Sequence, residues 1–393
     1  MDQGNHNYLQ IIFNLNRIGF NQITERIILD LDYFSLIQFK RSAKFVYTYL
    51  KNTKLESKVY HRKLKSDWNQ ELPEPTKFQT NDTVPLYAEF FANERKFLCS
   101  LGHRICKYDI ATQSEELIFT GHKSIVTCLE VINDEYLISG GYDGTLIVWD
   151  LITTEILDEK QLFGRLSVIK FQDDFLVTGH FSNPRTGDVG CVSIRKFQGP
   201  KSMPVVFSMF DELLPVVTLD FVVRSGLIAI LEWKGTYEGV ESGMVSVYKF
   251  ASKDYIGSLS DDVRGNYTIC RFHRDDQLVT GDQDSMIKIW RITQADRIQC
   301  VRSIKIQDSI VMGISVRSGR ILSRSIKGNT LVCQIPEENE TETNDFQLLL
   351  HKTQTVMLGF LQPLVLGDRS FLVGHATNVL MLYDVWKSKI DEM

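Results

Sequence analysis

The stretch GHKSIVTCLEVINDEYLISGGYDGTLIVWDL, which runs from Gly121 to Leu151, decides the fold of this 393-residue chain. It holds two runs of alternating apolar and polar residues, separated by a short turn that contains Asp143. Alternation with a period of two predicts half-buried β-strands, and a short turn between two such runs predicts an antiparallel hairpin. The stretch therefore predicts a compact antiparallel β-unit.

Four side chains stand where a WD repeat carries its structural tetrad, and the stretch closely resembles that family. They are His122, Ser139, Asp143 and Trp149. In the family the aspartate accepts from the histidine and the histidine bonds the serine, which ties the second and third strands to the loop leading into the blade. The resemblance implies a buried, internally satisfied hydrogen-bond chain, so His122 and Asp143 are expected to be structural rather than catalytic.

The same physical pattern recurs along the chain, each time ending on an aromatic or polar dipeptide at intervals of 41 to 53 residues. The endings are Tyr108-Asp109, Trp149-Asp150, Arg195-Lys196, Tyr248-Lys249, Trp290-Arg291, Cys333-Gln334 and Tyr383-Asp384. Such intervals are typical of four-stranded propeller blades with loops of variable length. The fifth unit keeps Thr280, Asp284 and Trp290 but has Asn266 where a histidine is expected.

These units predict a mostly β fold, a seven-bladed β-propeller of the WD-repeat type at residues 74–393. A propeller must close its ring to avoid an unpaired edge, and the segment Thr76–Thr83 is placed to supply the last blade's outer strand. We expect an N-terminal extension at residues 1–19 and a small all-α module with a linker helix at residues 20–73.

Apolar residues recur at helical spacing from Ile23 to Leu50, and this segment resembles an F-box. The resemblance implies docking onto the adaptor subunit of a cullin-RING ubiquitin ligase. The adaptor-binding residues would be Ile28, Leu31, Leu36, Phe39 and Tyr47. The alternative is a helical cap that only braces the propeller.

Composition excludes several function classes. The net charge is −5, and the sequence lacks the basic stripe that would predict nucleic-acid binding.

The apolar run from Tyr8 to Phe20 is interrupted by polar residues and is too short to span a bilayer, so no membrane association is expected. Seven scattered cysteines show no metal-ligand spacing, which predicts no metal site and a reducing compartment, cytoplasmic or nuclear.

Catalytic motifs are absent from the sequence. The chain has no phosphate-binding glycine loop, no dinucleotide-binding glycine pattern, no nucleophile elbow and no zinc-protease motif. We therefore expect neither enzyme activity nor a cofactor.

The narrow face of the predicted propeller is the expected partner site, because loops on a rigid scaffold commonly carry recognition. Two long loops, Ser182–Asp188 and Lys234–Ser242, are predicted on it, although they could equally be tolerated insertions without a partner. The candidate substrate-binding residues are Tyr142, Tyr237, Arg165, Arg185, Lys234, Arg264, Met312 and Met357. The first inward positions of the blades are apolar or hydroxylic, so we expect an unphosphorylated or weakly charge-dependent segment as substrate.

Together these features predict the substrate-recognition subunit of a ubiquitin ligase, in which the helical module binds adaptor and cullin and the propeller holds a protein substrate. The rival interpretation is a WD-repeat scaffold that assembles a protein complex unrelated to ubiquitin.

Overall fold

The computed structural model describes residues 74–80, 85–91, 94–162, 164–181, 190–213, 216–237, 240–259, 266–305, 309–317, 319–335, 348–351, 364–367, 370–375 and 379–384. The chain divides into two units, Met1–Leu72 and Pro73–Met393, and every described strand belongs to the second unit. The predicted N-terminal extension and helical module lie outside the described residues.

Three four-stranded antiparallel sheets, here called blades 1 to 3, follow the first strand, β1 (Thr76–Gln79). Blade 1 contains β2 (Pro85–Phe91), β3 (Lys96–Leu101), β4 (Arg104–Asp109) and β5 (Ser114–Thr120). Blade 2 contains β6 (Val126–Ile132), β7 (Tyr136–Gly141), β8 (Thr145–Asp150) and β9 (Ile156–Gln161). Blade 3 contains β10 (Arg165–Gln172), β11 (Phe175–Phe181), β12 (Gly190–Lys196) and β13 (Val205–Leu213).

The rest of the unit forms one large sheet and two further four-stranded sheets. The large sheet contains β14 (Val216–Val222), β15 (Leu227–Tyr237), β16 (Val240–Lys249), β17 (Tyr255–Ser258), β18 (Tyr267–Arg274), β19 (Gln277–Asp282), β20 (Met286–Ile292) and β21 (Ile298–Lys305). The next sheet contains β22 (Val311–Arg317), β23 (Arg320–Ser325), β24 (Thr330–Gln334) and β25 (Leu348–His351). The closing sheet joins β26 (Leu364–Leu366), β27 (Ser370–His375) and β28 (Val379–Asp384) to β1.

The predicted fold class is wrong as stated. The described strands form five separate four-stranded sheets and one eight-stranded sheet, not seven separate blades, and the described residues contain no helix. The eight-stranded sheet arises because Gly243 of β16 pairs with Tyr267 of β18, which joins two four-stranded groups that the sequence pattern treats as separate units. A glycine without a side chain permits such close approach of a neighbouring strand.

The N-terminal strand closes the ring. Strand β1 pairs antiparallel with β28, with Thr76 opposite Leu382 and Gln79 opposite Val379, and β2 of blade 1 contacts β26 and β27 of the closing sheet. Phe78 of β1 is 2% exposed, and its ring meets the rings of Phe97 and Tyr108 edge-on at centroid distances of 5.0 and 6.0 Å. The chain thus uses its own N-terminal segment to cover the last sheet edge.

Apolar clusters lie between neighbouring sheets and form the core. One cluster packs Leu98 and Phe119 of blade 1 against Val126, Leu129 and Trp149 of blade 2. The third strands are buried on both sides, as in β8, whereas outer strands such as β21 alternate between half-buried and exposed residues. Because the third strands are the more buried ones, their endings can be recognised in the sequence. The predicted endings coincide with the ends of six strands, namely β4, β8, β12, β16, β24 and β28, and β20 extends one residue beyond its predicted ending.

We expect Phe78→Ala to lower the free energy of unfolding by about 3 to 5 kcal/mol, because it leaves a cavity between the first and last sheets. Urea unfolding followed by tryptophan fluorescence measures the change. Lys77→Ala is the matched control, since Lys77 is an exposed neighbour in the same strand. Equal stability of Phe78→Ala and Lys77→Ala would contradict closure by β1.

Candidate functional site

A chain of hydrogen bonds lies inside blade 2. Nε2 of His122 is 2.7 Å from Oγ of Ser139, and the indole Nε1 of Trp149 donates to the same oxygen at 2.7 Å. Nδ1 of His122 is 2.9 Å from Oγ1 of Thr145 and 3.5 Å from Oδ1 of Asp143. The structure therefore brings together the four residues of the expected tetrad and adds Thr145, which the sequence interpretation missed.

The position of Thr145 fixes the direction of the hydrogen bonds. An ionised carboxylate only accepts, so the Thr145 hydroxyl donates to Oδ1 of Asp143 and its oxygen accepts from Nδ1–H of His122. Nε2 of His122 then accepts from the Ser139 hydroxyl, whose oxygen accepts the indole proton of Trp149. Every member is satisfied only when the imidazole is neutral and carries its proton on Nδ1.

Charge states around this chain agree with that assignment. Burial lowers the pKa of His122 below its ordinary value, despite the nearby carboxylate of Asp143. Burial alone would raise the pKa of Asp143, but hydrogen bonds from Thr145 and from the N–H of Lys123 outweigh it and lower that pKa. A methyl group on Gly141 would lie 2.7 Å from Nδ1 of His122, so the chain also requires glycine there.

The eight-stranded sheet repeats part of this arrangement. Nε1 of Trp290 donates to Oγ1 of Thr280 at 2.9 Å. The sequence interpretation gave the turn carboxylate to Asp284, but Asp284 is exposed and Asp282 performs the capping. Oδ1 of Asp282 accepts the N–H groups of Asp284 and Met286, each at 2.9 Å. The sequence did contain a signal for this capping role, because Asp282 stands two residues before Asp284.

The innermost strands surround a central channel, and in six of them a β-bulge near the start controls which side chains enter it. The ladders of β2, β6, β10, β14, β18 and β22 all shift register near their first residues. The extra residues of the last five strands are the inward positions that the sequence predicts, namely Thr127, Ser167, Val217, Thr268 and Met312. Of these, all but Thr127 line a cavity of about 370 Å³. Met357 lies outside the described residues.

Two of the bulge residues link neighbouring inner strands. Oγ1 of Thr127 is 2.5 Å from the carbonyl oxygen of Leu166 in β10 and 3.1 Å from that of Gly140. The hydroxyl of Thr268 bonds the carbonyl of Val311 in β22 in the same way. These hydroxyls therefore join adjacent inner strands instead of facing a partner.

A belt of charged side chains, which the sequence interpretation missed, follows the bulges along the inner strands. Each member comes three residues after the extra residue of its own strand. The belt consists of Glu89, Glu130, Lys170, Asp220 and Arg271, which lie on five consecutive inner strands, and all of them except Glu130 line the cavity. Nζ of Lys170 is 3.5 Å from Oε2 of Glu130. Removal from bulk water raises the pKa of Glu130 to about 7, although Lys170 opposes the shift. Burial likewise raises the pKa of Glu89.

Tyr142 and Arg165, two of the candidate substrate-binding residues, lie together on the face formed by the loops that lead into the blades. The guanidinium of Arg165 lies over the ring of Tyr142, 4.7 Å from its centroid, and also donates to the phenol oxygen. The ring is 48% exposed. This stacked pair offers an aromatic surface with a positive charge on one side.

The structure does not test most of the remaining candidates. Arg185, Arg264 and all five adaptor-binding candidates lie outside the described residues. The loop predicted at Lys234–Ser242 is instead a hairpin, because β15 and β16 continue pairing as far as Tyr237 opposite Val240. Lys234 and Tyr237 thus lie in β15, on a backbone ladder rather than in an irregular loop.

Two segments of the chain, residues 113–150 and 254–291, match the family profile of the WD domain, G-beta repeat. The chain carries WD40 repeats. The first matched segment contains the whole hydrogen-bond chain of blade 2, and the second contains the bonded pair of Thr280 and Trp290. The WD40 match and the bonded polar chains thus fall on the same parts of the molecule.

Similar proteins support this result at the level of the fold. A Danio rerio protein named p21-activated protein kinase-interacting protein 1-like is 23% identical over 244 residues, covering 56% of this chain and 66% of that protein, just under two thirds of its length. The crystal structure of the computationally designed Ika8 protein matches with a TM-score of 0.53 at 18% identity, covering 76% of this chain and 83% of that chain. The structural likeness shows the fold alone.

WD40 propellers typically act as protein-interaction scaffolds rather than enzymes, and the thiols of this chain fit a structural role. Burial raises the pKa of Cys106, Cys128, Cys270 and Cys333 to about 12, which keeps these thiols protonated and unreactive.

Among the described residues, no group of His, Cys, Asp and Glu is placed to hold a metal ion. No helix within the described ranges could cross a membrane.

We expect Thr145→Val and Asp143→Ala each to lower the free energy of unfolding by about 1 to 3 kcal/mol, because each leaves a buried polar partner unsatisfied. Trp149→Ala should cost about 3 to 5 kcal/mol or more, because it also leaves a cavity at a fully buried site. Thermal and urea unfolding measure the loss. Thr153→Val is the control, since Thr153 lies in an exposed turn of the same blade. Unchanged stability in all three variants would refute the hydrogen-bond chain.

A second prediction concerns the charge belt. The folded-state pKa of Glu130, about 7, lies above its ordinary value of 4.5, so the stability that Glu130 contributes is greatest at low pH and is lost between pH 4.5 and about 7. Between pH 5 and pH 8 the unfolding free energy of the parent should therefore fall more than that of Glu130→Gln, by on the order of 1–3 kcal/mol. Glu155→Gln, at an exposed site, should follow the parent. Parallel pH profiles for parent and Glu130→Gln would contradict the shifted pKa.

Proposed function

We propose that the chain is the substrate-recognition subunit of a cullin-RING ubiquitin ligase, with the propeller holding a protein substrate. The observation that carries the binding half of this proposal is the exposed pair of Tyr142 and Arg165 on the rigid rim of a WD40 propeller. Aromatic and arginine side chains supply much of the binding energy in protein interfaces.

Hydrogen bonds fix the backbone that carries Tyr142. Asp143 follows Tyr142 directly, and its carboxylate accepts the N–H groups of Lys123 and Ser124 at 2.8 and 3.2 Å. The N–H of Tyr142 donates to the carbonyl of Ile125 at 2.8 Å. Because this backbone is fixed before binding, little conformational entropy is lost when a partner docks.

Met312 adds an apolar contact in the channel beneath the face. Met312 lines the cavity, and its flexible thioether adapts to irregular partner surfaces. A doubly charged phosphate requires several converging arginines, and Arg165 already bonds Tyr142. These features support an unphosphorylated segment as the substrate.

The ligase half of the proposal depends on the segment at residues 20–73. Its helical spacing presents Ile28, Leu31, Leu36, Phe39 and Tyr47 as the adaptor-binding residues. The propeller would then bring its substrate close to the ubiquitin-transferring subunits, and would contribute proximity rather than chemistry. Seven free cysteines favour a reducing compartment, cytoplasmic or nuclear, for this assembly.

A second candidate is a WD40 scaffold that assembles a protein complex without a role in ubiquitin transfer. The Danio rerio relative is named as a kinase-interacting protein, which favours a scaffold that binds a signalling protein. In this case the N-terminal segment would only brace the propeller, and the same face would bind the partner.

Recovery of partners from a cell lysate distinguishes the two candidates. Full-length chain should capture the ligase adaptor and cullin, and Leu36→Asp should abolish that capture, because a charge cannot be buried in an apolar docking surface. Gln38→Asp is the matched control, since it adds the same charge at a neighbouring polar position. Melting temperature confirms that the propeller stays folded in both variants.

Adaptor captured equally by Leu36→Asp and the parent would overturn the ligase function. Absence of adaptor and cullin alongside other stable partners would support the scaffold instead.

A further inference from the structure

A basic sector lies on the loop face where blades 1, 2 and 3 meet. Arg104 is the first residue of β4, Lys123 and Ile125 belong to the loop before β6, and Tyr142 and Arg165 complete the sector. Ile125 is 44% exposed and Tyr142 is 48% exposed. Arg104 and Lys123 are exposed as well.

Backbone contacts make this sector continuous. The N–H of Val126 donates to the carbonyl of Gly102 at 2.8 Å, which joins the turn beside Arg104 to the loop carrying Ile125. The N–H of Tyr142 donates to the carbonyl of Ile125 at 2.8 Å, and the guanidinium of Arg165 stacks on the Tyr142 ring. The five residues therefore form one surface across three blades.

Two cations of the sector, Arg104 and Lys123, carry positive charge that no carboxylate among the described residues pairs with. Its loops contribute one carboxylate, Asp143, whose oxygens are occupied by the N–H groups of Lys123, Ser124 and Thr145 and by the Thr145 hydroxyl. Among the described residues, neither Arg104 nor Lys123 has an ion pair through its side chain. The chain as a whole is acidic, with 49 Asp and Glu against 44 Lys and Arg, so this sector runs against the average charge.

We infer that the basic sector binds an acidic, unphosphorylated segment of a partner protein, in which an apolar side chain packs on Ile125 and Tyr142 between carboxylates that pair with Arg104 and Lys123. This inference rests on the proposed function of the propeller as a protein-binding subunit. Arg104 at the start of β4 and Lys123 in the loop before β6 belong to different elements, so they suit separate carboxylates better than a single phosphate. The exposed isoleucine favours a peptide over a nucleic acid.

The test uses the full-length chain and a display library of short random peptides as the probe. Peptides that bind the parent should be enriched in Asp and Glu around a large apolar residue. The double variant Arg104→Glu, Lys123→Glu should weaken binding of a selected, fluorescently labelled peptide by about tenfold or more. Raising the ionic strength from about 0.01 M to about 0.15 M should also weaken binding, because the Debye length falls from about 30 to about 8 Å.

Lys196→Glu is the matched control, because Lys196 is exposed at the far end of β12 and should leave peptide binding unchanged. Selected peptides without acidic enrichment, or peptides that bind the double variant as tightly as the parent, would overturn this inference while leaving the propeller a protein-binding module. Failure to select any peptide would count against the proposed protein-binding function as well. Tighter binding of a labelled single-stranded RNA than of every selected peptide would replace the inference with a nucleic-acid site.

Discussion

The pairing of β1 with β28 is the constraint on which the rest of the propeller depends. An open ring would leave the edge of β28 unpaired and would separate the closing sheet from blade 1. Phe78 secures this junction, since it belongs to a buried cluster with Phe97 and Tyr108 of blade 1 and Leu372 and Leu380 of the closing sheet. Once the ring is closed, the inner strands must surround a channel, and the loops between the strands must gather on its faces.

Polar networks stabilise only part of this ring. Blade 2 has the complete chain from Trp149 to Asp143, and the eight-stranded sheet keeps the bond between Trp290 and Thr280. In blade 1, Cys99 is fully buried at the position of the serine, so apolar packing replaces the hydrogen bonds there. The most completely bonded part of the rim is therefore the part that carries Tyr142 and the basic sector.

Two electrostatic environments serve different purposes in the same propeller. In the channel, acidic and basic side chains from neighbouring strands offset one another, and the cost of removing Glu130 from bulk water appears as a raised pKa. On the loop face, Arg104 and Lys123 are exposed, and no carboxylate in the described part of the chain pairs with them. The opposite charges of the belt stabilise the interior of the propeller, whereas the positive charge of the basic sector attracts an acidic partner.

Local sequence pattern determined the strand endings, the closing strand and the positions of His122, Ser139, Asp143 and Trp149, because each depends on residues close together in the chain or on a recognisable repeat. Tertiary structure alone decided the junction at Gly243, the stacking of Arg165 on Tyr142 and the charge belt. The belt was hidden from the pattern for a physical reason. A bulge adds one residue near the start of inner strands such as β6, β10, β14 and β18, so the side chains that follow it change faces, and a strict period of two no longer predicts which of them enter the channel.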